Sequence, residues 1–172
     1  MVDSTRDLLI AGLKDAYAME RQAEDMLTAQ SKHFEDYPQV KARLDQHNAE
    51  TRQQQKRLEQ CLEDLEESPS ILKDAAMRVV GNVQSMFNAA AQDAVIKDTL
   101  ADYAFEHFEI ASYKGLIALA ELNGKQNIAT TCRQSLEEER SMATWLDEHL
   151  IEVVTEHARR TETGEASRAG VA

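Results

Sequence analysis

The sequence predicts an all-α protein built as a bundle of four long helices. Among 172 residues there are only 6 Gly and 2 Pro, and aromatic residues make up 5%. Such a composition favours helices over sheets. Apolar residues recur every three or four positions through four long segments, which is the helical period. The length fits one domain with its own core, so we assign residues 1–160 to the bundle and 161–172 to a flexible C-terminal tail.

The ends of the helices are marked by capping residues and breakers. Ser4 and Asp7 form a capping pair, and Pro38 both disfavours helix before it and suits the first turn of the next helix. Asn123-Gly124 is a C-cap signal. The predicted helices run from after Ser4 to before Asp36-Tyr37-Pro38, from Pro38 to Glu67, from Gln92 to Leu122 and from Lys125 to Arg159.

The lengths of the connections constrain the topology. Short turns join the first helix to the second and the third to the fourth, so each pair is expected to be an antiparallel hairpin. The connection between the second and third helices has about 25 residues, with one or two short helices around Gly81, and can cross a bundle of ~40 Å. This favours up-down-down-up with a long, partly helical crossover, the ferritin-like arrangement. The same connection could instead fold back and leave those two helices antiparallel.

Charge and cysteine usage exclude several classes of function. The net charge of −12 disfavours nucleic acid and anionic membranes as partners. The chain shows neither a signal sequence nor an apolar run long enough to span a bilayer, so we expect a cytoplasmic protein. Cys61 and Cys132 each lie in the apolar register of a helix, which predicts buried thiols and no disulfide.

Charged residues occupy positions where these helices should be apolar. Glu20 lies within the register of Leu13, Ala16, Ala23 and Leu27, on the face that should be buried. A buried carboxylate is costly unless it is paired or binds a metal. The remaining helices repeat this anomaly with His47 and Glu50 on the second, Glu106, His107 and Glu109 on the third, and Glu139 on the fourth.

Counting from the turns places these residues at one height. Glu20 lies about 16 residues before the first turn and Glu50 about 14 after it, while Glu109 and Glu139 each lie about 15 residues from the second turn. Five carboxylates packed in one layer would repel one another strongly, and two divalent cations would nearly balance them. Carboxylates with imidazole suit iron or manganese, as in di-iron and di-manganese carboxylate bundles.

Each residue also has a plainer interpretation. Glu20 could reflect a misjudged helical phase, and a lone His47 on an apolar face is more often a hydrogen-bonded core histidine. Either Glu138 or Glu139 could point inward, and Glu139 is favoured because it continues the register. Tyrosines lie one turn from several of the acids and could hydrogen-bond them; these are Tyr17, Tyr103 and Tyr113.

Four motifs together resemble those of the ferritin-like YciE/YciF stress-protein family, over about residues 7 to 155. They are Asp15-x-Tyr17-x-x-Glu20, His47-x-x-Glu50-Thr51, Glu106-His107-Phe108-Glu109-Ile110-Ala111 with Tyr113, and Leu136-x-Glu138-Glu139. The resemblance implies a rubrerythrin-like bundle, often a homodimer, with a dinuclear metal site and expression tied to stress. Ferritin-like sites usually carry Glu-x-x-His, but Gln53 and Met142 stand in the histidine positions here, so imidazole would come from His47 or His107.

Three functions are consistent with these observations. The first is a dinuclear iron protein, or a manganese protein, that reacts with peroxide or dioxygen and receives electrons from an external donor. Its expected bridging ligands are Glu50 and Glu139 and its terminal ligands Glu20 and Glu106, with His47, His107 and Glu109 completing the shell. The second is iron storage in a shell of many subunits. The third is a metal-free interaction module whose polar layer fixes the helical register.

Overall fold

A computed structural model of the protein describes residues 4–67 and 93–164, which form four long helices. They are α1 (Thr5–Gln30), α2 (Pro38–Glu63), α3 (Ala94–Leu122) and α4 (Gln126–Thr163). Ser4 caps α1 by accepting a hydrogen bond from the backbone N–H of Asp7 at 3.1 Å, as the sequence predicts. The short helices expected between residues 70 and 92 lie outside the described residues.

The helix ends agree with the prediction to within two residues except at three places. The first helix ends at Gln30, five residues before its predicted end, and residues 31–36 form turns. The second helix ends at Glu63, four residues early, and a turn with Glu66 at φ 62° follows it. The fourth helix continues to Thr163, beyond the predicted end at Arg159, and Gly164 terminates it at φ 74°. Residues 161–163, which we assigned to the tail, are therefore helical.

Contacts at the two ends of the bundle establish the direction of each helix. At one end, Arg6 donates to the backbone oxygen of Leu65, and Asn123 donates to the backbone oxygen of Thr5. At the other end, the turn between α1 and α2 contacts the start of α3 through His33 and Asp98. Helices α2 and α3 therefore run in the same direction, which confirms the up-down-down-up topology.

Two apolar clusters fill the interior, and a polar layer separates them. The cluster toward the end where α1 begins includes Leu9 of α1 and Leu65 after α2. The cluster toward the α1–α2 turn includes Phe34 and Leu146. Both cysteines are buried and free, as expected. Burial raises the pKa of the Cys61 thiol to about 11 and that of Cys132 to about 12, so neither is a reactive thiolate.

Within residues 4–67 and 93–164, none of the helices combines the length and the apolar character that crossing a membrane requires.

Candidate metal centre

Helix α3 carries a stripe of buried polar residues that passes through the polar layer. The buried polar residues of this helix include Asp98, Asp102, Glu106, Glu109 and Tyr113. They are spaced by three or four positions, so all of them lie along one stripe of the helix. The other sides of α3 are largely apolar, which is typical of a helix that packs on several faces. The acids of this stripe therefore face the interior of the bundle.

Three helices bring four potential ligands together. One ligand atom from each of four buried residues lies within 4.8 Å of all the others; the residues are His47, Glu106, Glu109 and Glu139. The His47 Nε2 atom lies 3.1 Å from Glu106 Oε1 and 3.5 Å from Glu139 Oε2. We call these four residues the central cluster. Its carboxylate and imidazole donors are those that suit iron and manganese.

Helix α1 contributes Glu20 beside the central cluster. The Glu20 side chain is completely buried, and its Oε1 accepts a 2.6 Å hydrogen bond from the hydroxyl of Tyr113. Its Oε2 has no hydrogen-bond partner. Glu20 also interacts electrostatically with His47 and Glu106, which shows that it belongs to the same charged layer.

The other ring nitrogen of His47 contacts Glu50. The His47 Nδ1 atom lies 3.1 Å from Glu50 Oε2, and this carboxylate also accepts from Arg43 at 3.3 Å and from Gln46 at 2.8 Å. The hydrogen bond to His47 is the main reason that the pKa of Glu50 falls to about 2. A carboxylate at Nδ1 fixes the tautomer and leaves Nε2 directed at the central cluster. Glu50 is partly exposed and lies outside that cluster.

On α4, the two adjacent acids have different environments. Glu139 is fully buried and accepts a short hydrogen bond from Gln54, whereas Glu138 is about a quarter exposed and pairs with Arg57. The Gln54 amide also donates to Glu138 at 3.0 Å, so one side chain links the two acids. The expectation that Glu139 points inward is confirmed.

His107 is not brought to the central cluster. It is exposed, and its ring meets that of Tyr103 edge-on with the centroids 4.8 Å apart. Neighbouring residues on a helix point about 100° apart, so His107 cannot share the direction of Glu106. Of the three tyrosines, Tyr113 reaches a layer residue, while Tyr17 donates to Glu59 and Tyr103 donates to Asp147.

Burial favours the protonated form of three acids of the layer, whose pKa values it raises. It raises the pKa of Glu20 to about 8, and it raises the pKa of Glu109 and Glu139 well above the usual range, helped by repulsion among the carboxylates. Burial alone would lower the pKa of His47, but Glu106 and the other acids raise it well above its ordinary value. The metal-free layer thus carries protons that a cation would displace.

Several oxygens of the layer lack any hydrogen-bond partner, although all are buried. They are one oxygen each of Glu20, Glu106 and Glu139, and both oxygens of Glu109. A buried acceptor without a donor costs about 1–3 kcal/mol. Oxygens that converge without donors are suited to a cation, and the donor set matches one. The central cluster could therefore hold a metal ion.

One buried acid next to the layer, Asp102, escaped the sequence analysis. It is 1% exposed, whereas the buried Gln30, at 4%, stands in the predicted register of α1. The spacing gave a signal for Asp102, because it stands four residues before Glu106. The overall apolar character of α3 masked this polar stripe.

Comparison with known proteins agrees with the fold and the motifs. Residues 4–159 match the family described as "Domain of unknown function (DUF892)". A solved protein of Xanthomonas campestris is 38% identical, with 92% of this chain and 99% of that chain covered and a TM-score of 0.77. The Escherichia coli stress protein YciF is 23% identical, with coverage of 89% and 98% and a TM-score of 0.70. YcfI of Rhodopseudomonas palustris is 28% identical, with coverage of 85% and 94% and a TM-score of 0.68.

Proposed function

We propose that this chain, which belongs to the DUF892 family, binds two divalent metal ions in its polar layer and uses them to react with peroxide or dioxygen. The observation that carries the proposal is the convergence of the central cluster, with ligand atoms within 4.8 Å of one another. Iron is the metal we favour and manganese the alternative, since carboxylates with imidazole suit both.

Charge balance favours a pair of ions over a single one. Four buried carboxylates form the layer, from Glu20, Glu106, Glu109 and Glu139. Two divalent cations bring four positive charges, so the metal-loaded layer would be close to neutral in a low-dielectric interior. A single ion would leave two carboxylates that must stay protonated. Glu109 would be among the residues that hold the ions, because neither of its oxygens accepts a hydrogen bond from the protein.

The surrounding residues have defined tasks in this proposal. Glu50 orients His47, Tyr113 orients Glu20 and Gln54 orients Glu139, each through a hydrogen bond that leaves another ligand atom directed inward. Such outer partners tune affinity and ligand basicity. A bound metal pair would supply the electrons and the Lewis acidity that reduction of an oxidant requires.

A role in stress is part of the proposal and rests on the likeness to the E. coli stress protein YciF. Removal of peroxide would fit such a role. The homodimer and the external electron donor stay predictions from the sequence. Only two cysteines are present, so this chain cannot ligate a four-cysteine iron centre by itself as a relay.

Metal analysis of anaerobically purified protein, followed by titration with Fe²⁺, tests the proposal. We expect about two ions per chain and consumption of added peroxide or dioxygen. In Glu139→Gln the stoichiometry should fall, whereas Glu138→Gln is the matched control on the adjacent, partly exposed position. A wild-type protein that binds no Fe²⁺ or Mn²⁺ at stoichiometric load would overturn the proposal, and binding without turnover would overturn its oxidant chemistry.

A further inference from the structure

A column of buried polar side chains leads from the central cluster toward the end of the bundle that carries the α1–α2 turn. Asp102 and Asp98 precede Glu106 at steps of four residues, so the three acids follow one another about 6 Å apart along α3. Asp102 is 1% exposed and Asp98 is 5% exposed. Beyond them, His33 Nδ1 lies 2.6 Å from Asp98 Oδ2, and the His33 side chain is 27% exposed. The column thus joins the metal layer to the surface.

Hydrogen bonding within the protein does not account for the burial of Asp102. Neither oxygen of Asp102 has a partner at hydrogen-bond geometry, and the same holds for both polar atoms of the buried Gln30 amide. The Gln30 side chain nevertheless lies close to Asp98 and Asp102, since a weak side-chain hydrogen bond from it lowers the pKa of each. Burial, together with the charges of Glu106 and Asp98, still raises the pKa of Asp102 well above its usual range. The buried oxygens of Asp102 therefore lack a donor, as several oxygens of the central cluster do.

Other approaches to the cluster suit a cation less well. On the Glu50 side, a cation would meet Arg43, which pairs with Glu50. On the Glu138 side, it would meet Arg57, which pairs with that acid. The groove of about 670 Å³ between α1 and α3 is lined by no residue of the central cluster, and its walls are mostly apolar, with Met19, Phe105 and Leu116 among them. Positive charge repels a cation, and apolar walls offer nothing in place of its hydration shell.

We propose that Asp98 and Asp102 form the path by which divalent cations reach and leave the central cluster, with His33 and Asp98 at its outer mouth. This inference rests on the proposed function, because it supposes that the cluster binds metal. A cation on this path would pass from one carboxylate to the next, at steps of about 6 Å along α3. Asp102 then acts on the rate of exchange and is not a ligand of the bound ions.

The single tryptophan offers a direct readout of loading. Trp145 is the only tryptophan in the sequence and lies six residues after Glu139 on α4, about 9 Å along the helix. Binding of Co²⁺ at the cluster should quench its fluorescence. Stopped-flow mixing with Co²⁺ gives the loading rate, subsequent mixing with a chelator gives the release rate, and equilibrium titration gives Kd and stoichiometry.

Two variants and two controls show whether Asp102 lies on the path of the cation or is a ligand of the bound metal. In Asp102→Leu we expect loading and release to slow together by at least about tenfold, equivalent to about 1.4 kcal/mol of barrier, with Kd and stoichiometry unchanged. Asp102→Asn keeps the volume and a polar oxygen, so it should slow both rates less. Asp45→Asn removes an exposed acid near the same end of the bundle and should load like wild type. Glu139→Gln, which should bind fewer ions, should quench less than wild type.

Each remaining outcome overturns a defined claim. Should Asp102→Leu and Asp102→Asn both load and release Co²⁺ at the wild-type rates, the path is wrong and the metal centre stands. If Kd weakens in step with a slower loading rate while release is unchanged or faster, Asp102 is a ligand and the path is again wrong. If wild-type quenching equals that of Glu139→Gln, no metal reaches the cluster, and both the path and the proposed function fail.

Discussion

The hydroxyl of Tyr113 on α3 donates a 2.6 Å hydrogen bond to Glu20 Oε1 on α1, in the fully buried centre of the bundle. This contact joins two helices at the level of the polar layer. It also leaves Glu20 Oε2 as the oxygen that faces the layer without a partner. A structural link and the orientation of a proposed ligand therefore depend on the same hydroxyl.

Removing that hydroxyl should weaken both the fold and metal binding. In Tyr113→Phe, a buried carboxyl loses its donor, which should lower the free energy of unfolding by about 1–3 kcal/mol. Affinity for Mn²⁺ should fall about tenfold or more, because Glu20 is no longer oriented. Urea unfolding and Mn²⁺ titration measure the two effects. Tyr103→Phe is the matched control, since Tyr103 bonds the exposed Asp147, and its stability should stay within about 0.5 kcal/mol of wild type.

Glu109 is expected to destabilise the metal-free protein, because its buried oxygens are placed to bind metal and have no donor without it. Both of its oxygens are buried without a donor, and it is surrounded by Glu20, Glu106 and Glu139. In Glu109→Gln, an amide of the same shape can donate to these carboxyls, so the metal-free protein should gain about 1–3 kcal/mol in unfolding free energy. The variant should bind fewer than two ions. A less stable variant with full metal binding would contradict this role, and Glu121→Gln is an exposed control.

Glu50 should act on the metal through His47. The Glu50→Gln variant can still accept a hydrogen bond from Nδ1, but it no longer places a negative charge behind the imidazole. We expect the affinity for Mn²⁺ to fall about 10–100-fold while the stoichiometry is kept. Competition with a chelator of known affinity measures the change. A stoichiometry reduced to one ion per chain would instead make Glu50 a direct ligand, as the sequence first suggested.

The metal-free protein should become less stable as pH rises from about 5 to 8. Burial raises the pKa of Glu20 from 4.5 to about 8, so in this range the folded protein binds more protons than the unfolded chain. The contribution of Glu20 to the free energy of unfolding is complete below pH 4.5 and disappears as pH rises to about 8. His47, whose pKa is also raised, contributes with the same sign above 6.5.

Thermal unfolding in a chelator checks this pH dependence. The Tm should fall by at least about 3 °C between pH 5 and pH 8, and Glu20→Gln should reduce the slope. Bound metal should reverse the trend, because ligands must lose their protons to bind it. A Tm that rises with pH in the metal-free protein would mean that the layer does not hold its protons.

Helical phase made much of this centre predictable from the sequence. Glu20, His47 and Glu139 stand within clear apolar registers, so their burial follows from the spacing of their neighbours. The helix directions followed from short turns and one long connection. The heights of these residues along the bundle then followed from the rise of 1.5 Å per residue in a helix.

Rotation about the helix axis and local partners were harder to predict. Glu50 shares a face with His47, but Arg43 and Gln46 hold it at the edge of the bundle, where it meets the other nitrogen of the ring. His107 follows Glu106 directly and therefore points outward. Asp102 was overlooked because the sides of α3 away from its acidic stripe are largely apolar, so the apolar residues alone do not mark which face is buried.

Anomalous diffraction from crystals loaded with Fe²⁺ under anaerobic conditions tests the central claim most directly. Two peaks at the iron absorption edge should lie within coordination distance of the central cluster, His47, Glu106, Glu109 and Glu139, with Glu20 reaching one of them. Iron found only at surface carboxylates, with the central cluster free of anomalous density at full load, would contradict the claim that this buried layer is a metal centre.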